Sequence, residues 1–125
     1  MPVTTLTAGI IGLMLLALSW RVIQARGQES KRDDGKEMLQ RRIRGQGNLI
    51  EYAPTALILL GLLEYQQAPA WFLLATAALF VLGRLFHGYA FSFSTYSPVG
   101  RTGGTGMTLT ALGLLSIGAL VMAFT

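Results

Sequence analysis

The sequence predicts an all-α integral membrane protein, built as a bundle of four transmembrane helices in a single domain that spans residues 1–125. Hydrophobic side chains make up 52% of the chain and charged ones 13%, which is too apolar for an ordinary soluble domain. The apolar residues fall into four runs, at about 5–24, 49–66, 70–90 and 107–124. Each run approaches the roughly 20 residues that a helix needs to cross a bilayer core.

Each run can be assigned in chain order. The first has no basic residue before it and is too long for the apolar part of a signal peptide, so we expect it to be retained. The second continues a helix that starts near Lys36, after a polar cytoplasmic loop at about 25–40. The third starts at Pro69, where a missing backbone donor costs nothing. The glycine-rich stretch 100–106 before the fourth run lacks the Gly-Lys-Ser/Thr of a phosphate loop, which favours a flexible turn.

The basic residues predict the orientation in the membrane. Eight of the ten lysines and arginines lie between Arg21 and Arg44, whereas the N-terminal lead and the link between the second and third runs have none. Basic connections stay in the cytoplasm, so we expect the 21–44 segment there and both termini on the other side. The basic residues lie beside the membrane runs, and this placement explains the net charge of +4 without a role in nucleic-acid binding. With no cysteine and a lone histidine, His87, the chain offers no evident metal site.

Polar side chains share one face of the helix that leads into the second run. At 100° per residue they occupy an arc of about a hundred degrees, and Gln46 points away from it. An ionised carboxylate facing lipid would cost several kcal/mol, so this face must meet protein, water or a ligand. The side chains on it are Arg41, Arg44, Asn48, Glu51 and Tyr52.

Two interpretations of this face remain open. In one, it forms an internal network in which Glu51 pairs with Arg44 or Arg84, and Asn48 joins helices. In the other, it is half of a ligand site. Arg84 and His87 lie within about 60° of each other on the third helix, where structural roles are expected: a hydrogen bond for His87, and neutralisation of Glu51 or snorkelling for Arg84.

The motif R-x-Q-x-N-x-x-E-Y-x-P, at residues 44–54, resembles the signature of the MAPEG superfamily, the membrane-associated proteins in eicosanoid and glutathione metabolism. The similarity extends to SWRVIQAR at the end of the first run, which contains Arg26, and to RLFHGYAFS in the third, which contains Gly88 and Tyr89. The resemblance implies a left-handed four-helix bundle that forms a homotrimer. It also implies that glutathione binds between neighbouring subunits near the cytoplasmic face.

The resemblance also suggests roles for individual side chains. The planar guanidinium groups of Arg26 and Arg44 suit the two carboxylates of glutathione. The other expected contacts to the tripeptide come from Gln46, Asn48, Glu51 and Tyr52. Gln46, which points away, is expected to serve the adjacent pocket.

Reaction at the sulfur requires its thiolate, and a free thiol with a pKa of ~8.5 is mostly protonated at neutral pH. Arg101 is the first arginine after the third run, and could stabilise the thiolate if its loop folds back over the pocket. Tyr89 could donate a hydrogen bond to the sulfur. These two are the candidate catalytic residues.

We therefore predict a glutathione-dependent transferase or peroxidase of the bacterial inner membrane, acting in detoxification on hydrophobic electrophiles or lipid hydroperoxides that enter from the membrane lipids. Leu85 stands where some family members have a tyrosine, and Gly27 where some have an arginine, which weakens the case for eicosanoid synthesis. The alternatives are a four-span transporter that uses Glu51 as its coupling carboxylate, and a non-catalytic lipid-binding scaffold.

Overall fold

The computed structural model describes residues 1–93 and 98–125, and its regular elements in those ranges are four α-helices. Helix α1 spans Pro2–Gln28, α2 spans Gly35–Tyr65, α3 spans Ala70–Ser92 and α4 spans Pro98–Ala123. The all-helical prediction is confirmed.

Three of these helices are long and apolar enough to cross a membrane: α1, α3 and the part of α4 from Gly100 to Ala123. Helix α2 is long enough to cross a membrane but is not apolar enough by the same comparison. Its residues 48–65 contain Asn48, Glu51 and Glu64, and its residues 35–44 carry Lys36, Arg41, Arg42 and Arg44. Composition alone therefore supports three of the four predicted spans.

The ends of two helices extend beyond their apolar runs. The predicted loop at about 25–40 is too long, because only residues 29–34 separate α1 from α2, whereas the predicted helix start near Lys36 agrees with the start of α2 at Gly35. A small buried cluster explains the extension: it packs the last turns of α1 against the first turns of α2. Its members are Val22, Ala25, Met38 and Leu39. Within the short connection, the Arg32 Nε lies 2.9 Å from the Asp34 Oδ1, and this hydrogen bond lowers the pKa of Asp34.

The glycine-rich stretch 100–106 is also helical, so the predicted flexible turn is wrong. Close packing against α3 explains why glycines stand in this helix. An added Cβ at Gly104 would lie 2.7 Å from the backbone nitrogen of His87 and 2.8 Å from the carbonyl oxygen of Gly83. Small residues on both helices let their backbones approach, which is common where membrane helices associate.

The helices pack around a core in which α3 has its most extensive contact with α4, and α1 with α2. Helix α2 also contacts α3 and α4, whereas α1 and α4 do not meet in the described part of the chain. Large side chains such as Leu60, Leu63, Phe80 and Leu115 are almost fully buried at the centre. Helices α1 and α4 therefore lie at the two sides of the protomer, and much apolar surface faces outward.

Candidate functional site

A polar cavity of about 490 Å³ opens where α2 faces the last turns of α3 and the first turns of α4. It brings together four of the residues predicted from the sequence: Arg44, Asn48, Glu51 and Arg101. Five further residues line it: Gln40, Ile43, Gly47, His87 and Phe91.

Helical spacing aligns the α2 side of this cavity. Positions 40, 44, 47, 48 and 51 repeat at intervals of three and four, so their side chains share one face. Gly45, on the next face, lets α2 approach α3 closely: an added Cβ would lie 2.9 Å from the Cβ of Phe91 and 3.0 Å from the Ser92 Oγ. The close approach holds the polar face of α2 beside Phe91.

The cavity combines positive charge with an unsatisfied acceptor. The guanidinium groups of Arg44 and Arg101 outnumber the single carboxylate of Glu51. The Asn48 Oδ1 is buried and has no hydrogen-bond partner within the described residues. A buried acceptor without a partner costs free energy, so this oxygen favours a ligand that can donate to it.

Phe91 organises the α3 and α4 side of the cavity. Its ring stacks on His87, with 4.3 Å between the ring centroids. The guanidinium carbon of Arg101 lies 4.9 Å from the centroid of the same ring. Arg101 belongs to the first turns of α4 instead of a folded-back loop, and the contact with Phe91 keeps it at the cavity.

The internal network that pairs Glu51 with an arginine is absent from the described chain, where the one ion pair joins Arg32 to Asp34. Glu51 is exposed at the cavity. Arg84 does not neutralise it, because the three guanidinium nitrogens of Arg84 are buried without a hydrogen-bond partner in the described residues, and the guanidinium carbon lies 5.8 Å from the centroid of the Tyr52 ring. The prediction that Arg84 pairs with Glu51 or reaches the interface is therefore wrong for this protomer.

Three predicted binding residues lie outside the polar cavity. The Gln46 Nε2 donates a 2.7 Å hydrogen bond to the Ser19 Oγ on α1, about 200° around α2 from Arg44. Tyr52 packs against the hydrophobic core, and Arg26 is exposed in the last turn of α1. Within one protomer these residues do not join Arg44 and Glu51.

Tyr89, the second catalytic candidate, is also separated from the polar cavity. It is exposed on the opposite face of α3, about 200° from Phe91, and its ring stacks on Phe93 at 6.3 Å between centroids. It lines a different, apolar cavity between α3 and α1. The two thiolate-stabilising candidates, Tyr89 and Arg101, therefore do not meet within a protomer.

Sequence reasoning missed Gln40, Phe91 and the cavity position of His87. Gln40 lies four residues before Arg44, so the same periodicity could have included it. His87 and Phe91 are also spaced by four, but nothing in the sequence indicates that Arg84, on nearly the same face, is directed to another cavity.

Comparisons with known proteins agree with this architecture. The model of the MAPEG family matches residues 4–121. The inner membrane protein YecN of Escherichia coli strain K12 is 34% identical over 91 residues, which cover 71% of this chain and 70% of the relative. YecN of Escherichia coli O6:H1, strain CFT073, matches with the same identity and coverage. No solved structure shows significant similarity to the chain. Because the family model matches nearly the whole chain, the chain belongs to the MAPEG family. Its long apolar helices make it an integral membrane protein.

Proposed function

We propose that the protein is a glutathione-dependent membrane transferase or peroxidase that acts on hydrophobic electrophiles or lipid hydroperoxides. The observation that carries the proposal is the polar cavity, in which Arg44, Asn48, Glu51 and Arg101 converge. Membership of the MAPEG family supports the same chemistry.

The residues of the cavity fit the groups of the tripeptide. Glutathione supplies two carboxylates, an ammonium group and the reactive thiol. Arg44 can hold a carboxylate through paired hydrogen bonds, and Glu51 can accept from an ammonium or amide group. The unsatisfied Asn48 Oδ1 can accept from a peptide N–H. Arg101, held beside Phe91, is the cation best placed to favour a thiolate over a thiol.

A second protomer would complete the site. Arg26 and Gln46 lie away from the cavity, on the α1 side of the same molecule. We propose a homotrimer in which these two side chains face the cavity of the adjacent subunit. The outward-facing apolar side chains of α1 and α4, among them Leu13, Leu16, Ile117 and Leu120, provide surface for contacts between subunits or with lipid.

In this proposal α2 crosses the membrane with the other three helices. It packs against all of them, so its polar residues are shielded from lipid by protein and cavity. The basic segment 21–44 lies in the cytoplasm and both termini lie outside it. The inner membrane is the proposed location, as the name of the related Escherichia coli proteins indicates for them.

Calorimetric titration of the purified protein with glutathione tests the binding site. Arg44→Ala and Glu51→Ala should each weaken binding about tenfold or more, because hydrogen bonds to charged groups contribute about 1.5–3 kcal/mol. Arg32→Ala is the matched control, since it removes one arginine from the exposed connection and should leave the affinity unchanged. Binding that survives both cavity substitutions would overturn the site. If the protein does not bind glutathione but carries out proton-coupled export, it is instead a transporter that uses Glu51.

Mixed oligomers test the intersubunit arrangement. Arg26→Ala and Arg44→Ala protomers, each of which binds glutathione only weakly alone, should regain sites of full affinity when they are produced together, because some interfaces then combine an intact Arg26 with an intact Arg44. Random mixing predicts recovery of about a quarter of the sites. No recovery in verified mixed oligomers would place both arginines in the same protomer's site.

One observation favours a non-catalytic binding protein as the second candidate: Tyr89 and Arg101 lie on opposite sides of α3. Turnover of a panel of electrophiles and hydroperoxides separates the two functions. A transferase should lose rate in Arg101→Ala at unchanged glutathione affinity, whereas a binding protein should bind glutathione and show no turnover.

A further inference from the structure

An arginine is buried in the membrane-spanning part of α3. Arg84 is only 3% exposed, and its Nε, Nη1 and Nη2 atoms are all buried without a hydrogen-bond partner within the described residues. It lies eight residues before the end of α3, or about 12 Å at the helical rise, so its charge does not reach the water at that end. A guanidinium group keeps its proton in proteins, so this position carries a full positive charge.

The chain provides no negative charge for Arg84. Residues 1–28 and 65–125, which include the whole of α1, α3 and α4, contain no acidic residue. Four of the six acidic residues lie in the segment 29–37, at the basic end. Glu51 lines the polar cavity, and the carboxylate of Glu64 accepts hydrogen bonds from the backbone at the start of α1.

The aromatic contact of Arg84 does not replace an anion. The Tyr52 ring, with its centroid 5.8 Å from the guanidinium carbon, gives a weak contact at most. A buried charge without a counter-charge is strongly destabilising, and several kcal/mol are at stake in a membrane interior. An anion from solution that pairs with Arg84 would remove this cost.

Space for an anion lies beside the guanidinium. Arg84 lines a cavity of about 270 Å³ between α1 and α3, with Met14 and Leu18 among the residues on the α1 side. This volume far exceeds the ~30 Å³ that one water molecule occupies in the liquid, and a halide ion is of comparable size. Tyr89 is the only other lining residue with a hydrogen-bond donor in its side chain.

The charge and the lining of the cavity select the kind of anion. One guanidinium balances one negative charge, so a dianion would leave an excess of charge among apolar side chains. A strongly hydrated anion needs many donors to replace its water, and this cavity offers only the guanidinium N–H groups and one hydroxyl. A small monovalent anion that is weakly hydrated fits both limits.

We propose that Arg84 binds a small inorganic monoanion of the halide class at the cavity between α1 and α3. The anion neutralises the buried guanidinium and thereby stabilises the bundle. The site is separate from the polar cavity, and its existence does not depend on glutathione.

A chloride titration of the detergent-purified protein, in sodium gluconate at constant ionic strength, tests this proposal. The unfolding temperature should rise with chloride concentration and then saturate, because a ligand that binds only the folded state stabilises it by mass action. Arg84→Gln should abolish this rise. Arg32→Gln is the matched control, since it removes an exposed arginine from the connection 29–34 and should retain the rise. An unfolding temperature that does not depend on chloride, or a dependence that persists in Arg84→Gln, would overturn the proposal.

Chlorine NMR measures the binding without unfolding the protein. Exchange of chloride with a protein site broadens its resonance, so the unaltered protein and Arg32→Gln should broaden it to a similar extent. Arg84→Gln should lose the larger part of this broadening, and an excess of bromide should reverse it in the unaltered protein. Equal broadening by the two variants would place the anion elsewhere and contradict the proposal. No thiol enters either measurement, so a negative result would leave the proposed glutathione site untouched.

Discussion

The Glu64 side chain joins the end of α2 to the start of α1. Its two carboxylate oxygens accept hydrogen bonds from the backbone N–H groups of Val3, at 2.8 Å, and Thr4, at 2.7 Å. The first N–H groups of a helix have no partner within it, and their end carries partial positive charge, which a carboxylate satisfies well. A single side chain thus serves as the cap of a helix that is distant in the sequence.

We expect Glu64→Ala to lower the stability of the protein by about 0.5–2 kcal/mol, the usual range for the loss of a helix cap. Thermal unfolding in detergent measures the change. Glu64→Gln keeps a hydrogen-bond acceptor but loses the charge. Its unfolding temperature should lie between those of the unaltered protein and Glu64→Ala. Glu29→Ala is the control, since it removes an exposed carboxylate from the connection after α1. An unchanged unfolding temperature in Glu64→Ala would show that this cap does not contribute to stability.

The sequence predicted some of these residue positions but not their partners. The face with Arg44, Asn48 and Glu51 follows from the helical period of a single element, so it could be recognised before the fold was known. The contact of Glu64 with Val3, and the division of Arg84 and His87 between two cavities, depend on how separate helices meet. Periodicity within one helix carries no information about that packing.

At the scale of elements, the closest contact of the described chain is between α3 and α4. Gly83 and Gly104 face each other, and the Thr108 Oγ1 donates a 2.7 Å hydrogen bond to the Gly104 carbonyl oxygen. Added Cβ atoms at either glycine would meet backbone atoms at less than 3.0 Å. Backbone atoms cannot move away by a change of rotamer as side-chain atoms can, so a larger residue would force the helices apart.

Gly104→Ala should therefore destabilise the protein by about 1–3 kcal/mol, as overpacking of a tight interface does. Gly103→Ala is a close control, because nothing lies within 4 Å of a Cβ at that neighbouring position. That substitution should leave the protein as stable or stabilise it by about 0.5–1 kcal/mol through helix propensity. Thermal unfolding of the two variants compares them directly, and equal stability would contradict the tight contact.

The same packing explains which elements sequence reasoning placed incorrectly. The apolar runs predicted the positions of α1, α3 and α4 well, because an apolar run of that length has few other uses. Their ends were misplaced where polar or glycine-rich sequence stays helical through tertiary contact. Met38 and Leu39 pack on α1, and Gly104 packs on α3. Propensity favours a turn in the glycine-rich stretch around Gly104, and the neighbouring helix overrides it.

The whole molecule presents a basic end and an apolar belt. The connection 29–34 and the flanking arginines lie at one end of the helices, and the turn between α2 and α3 lies at the other. Exposed apolar residues such as Leu16, Ile58, Leu82 and Leu114 cover the length between them. This distribution is typical of a protein that crosses a membrane with its basic end in the cytoplasm.

The absence of cysteine makes the orientation directly testable, because any introduced cysteine is unique. Ser30→Cys, in the connection after α1, should react with a membrane-impermeant maleimide only after the inner membrane is permeabilised. Gln66→Cys, at the opposite end, should react in spheroplasts with an intact membrane. Both positions are exposed, so a reversed pattern of labelling would invert the proposed topology.

The protomer also has unequal flanks. The contact of α3 with α4 is closed where Gly83 faces Gly104, since backbone meets backbone there. The apolar cavity between α1 and α3, by contrast, leaves space among Met14, Leu18 and Leu85. An apolar molecule dissolved in the bilayer would thus have room beside α1 and none beside the paired glycines. Substitutions that enlarge or fill the space beside α1 should alter which apolar molecules the protein accommodates, while the glycine contact maintains the fold.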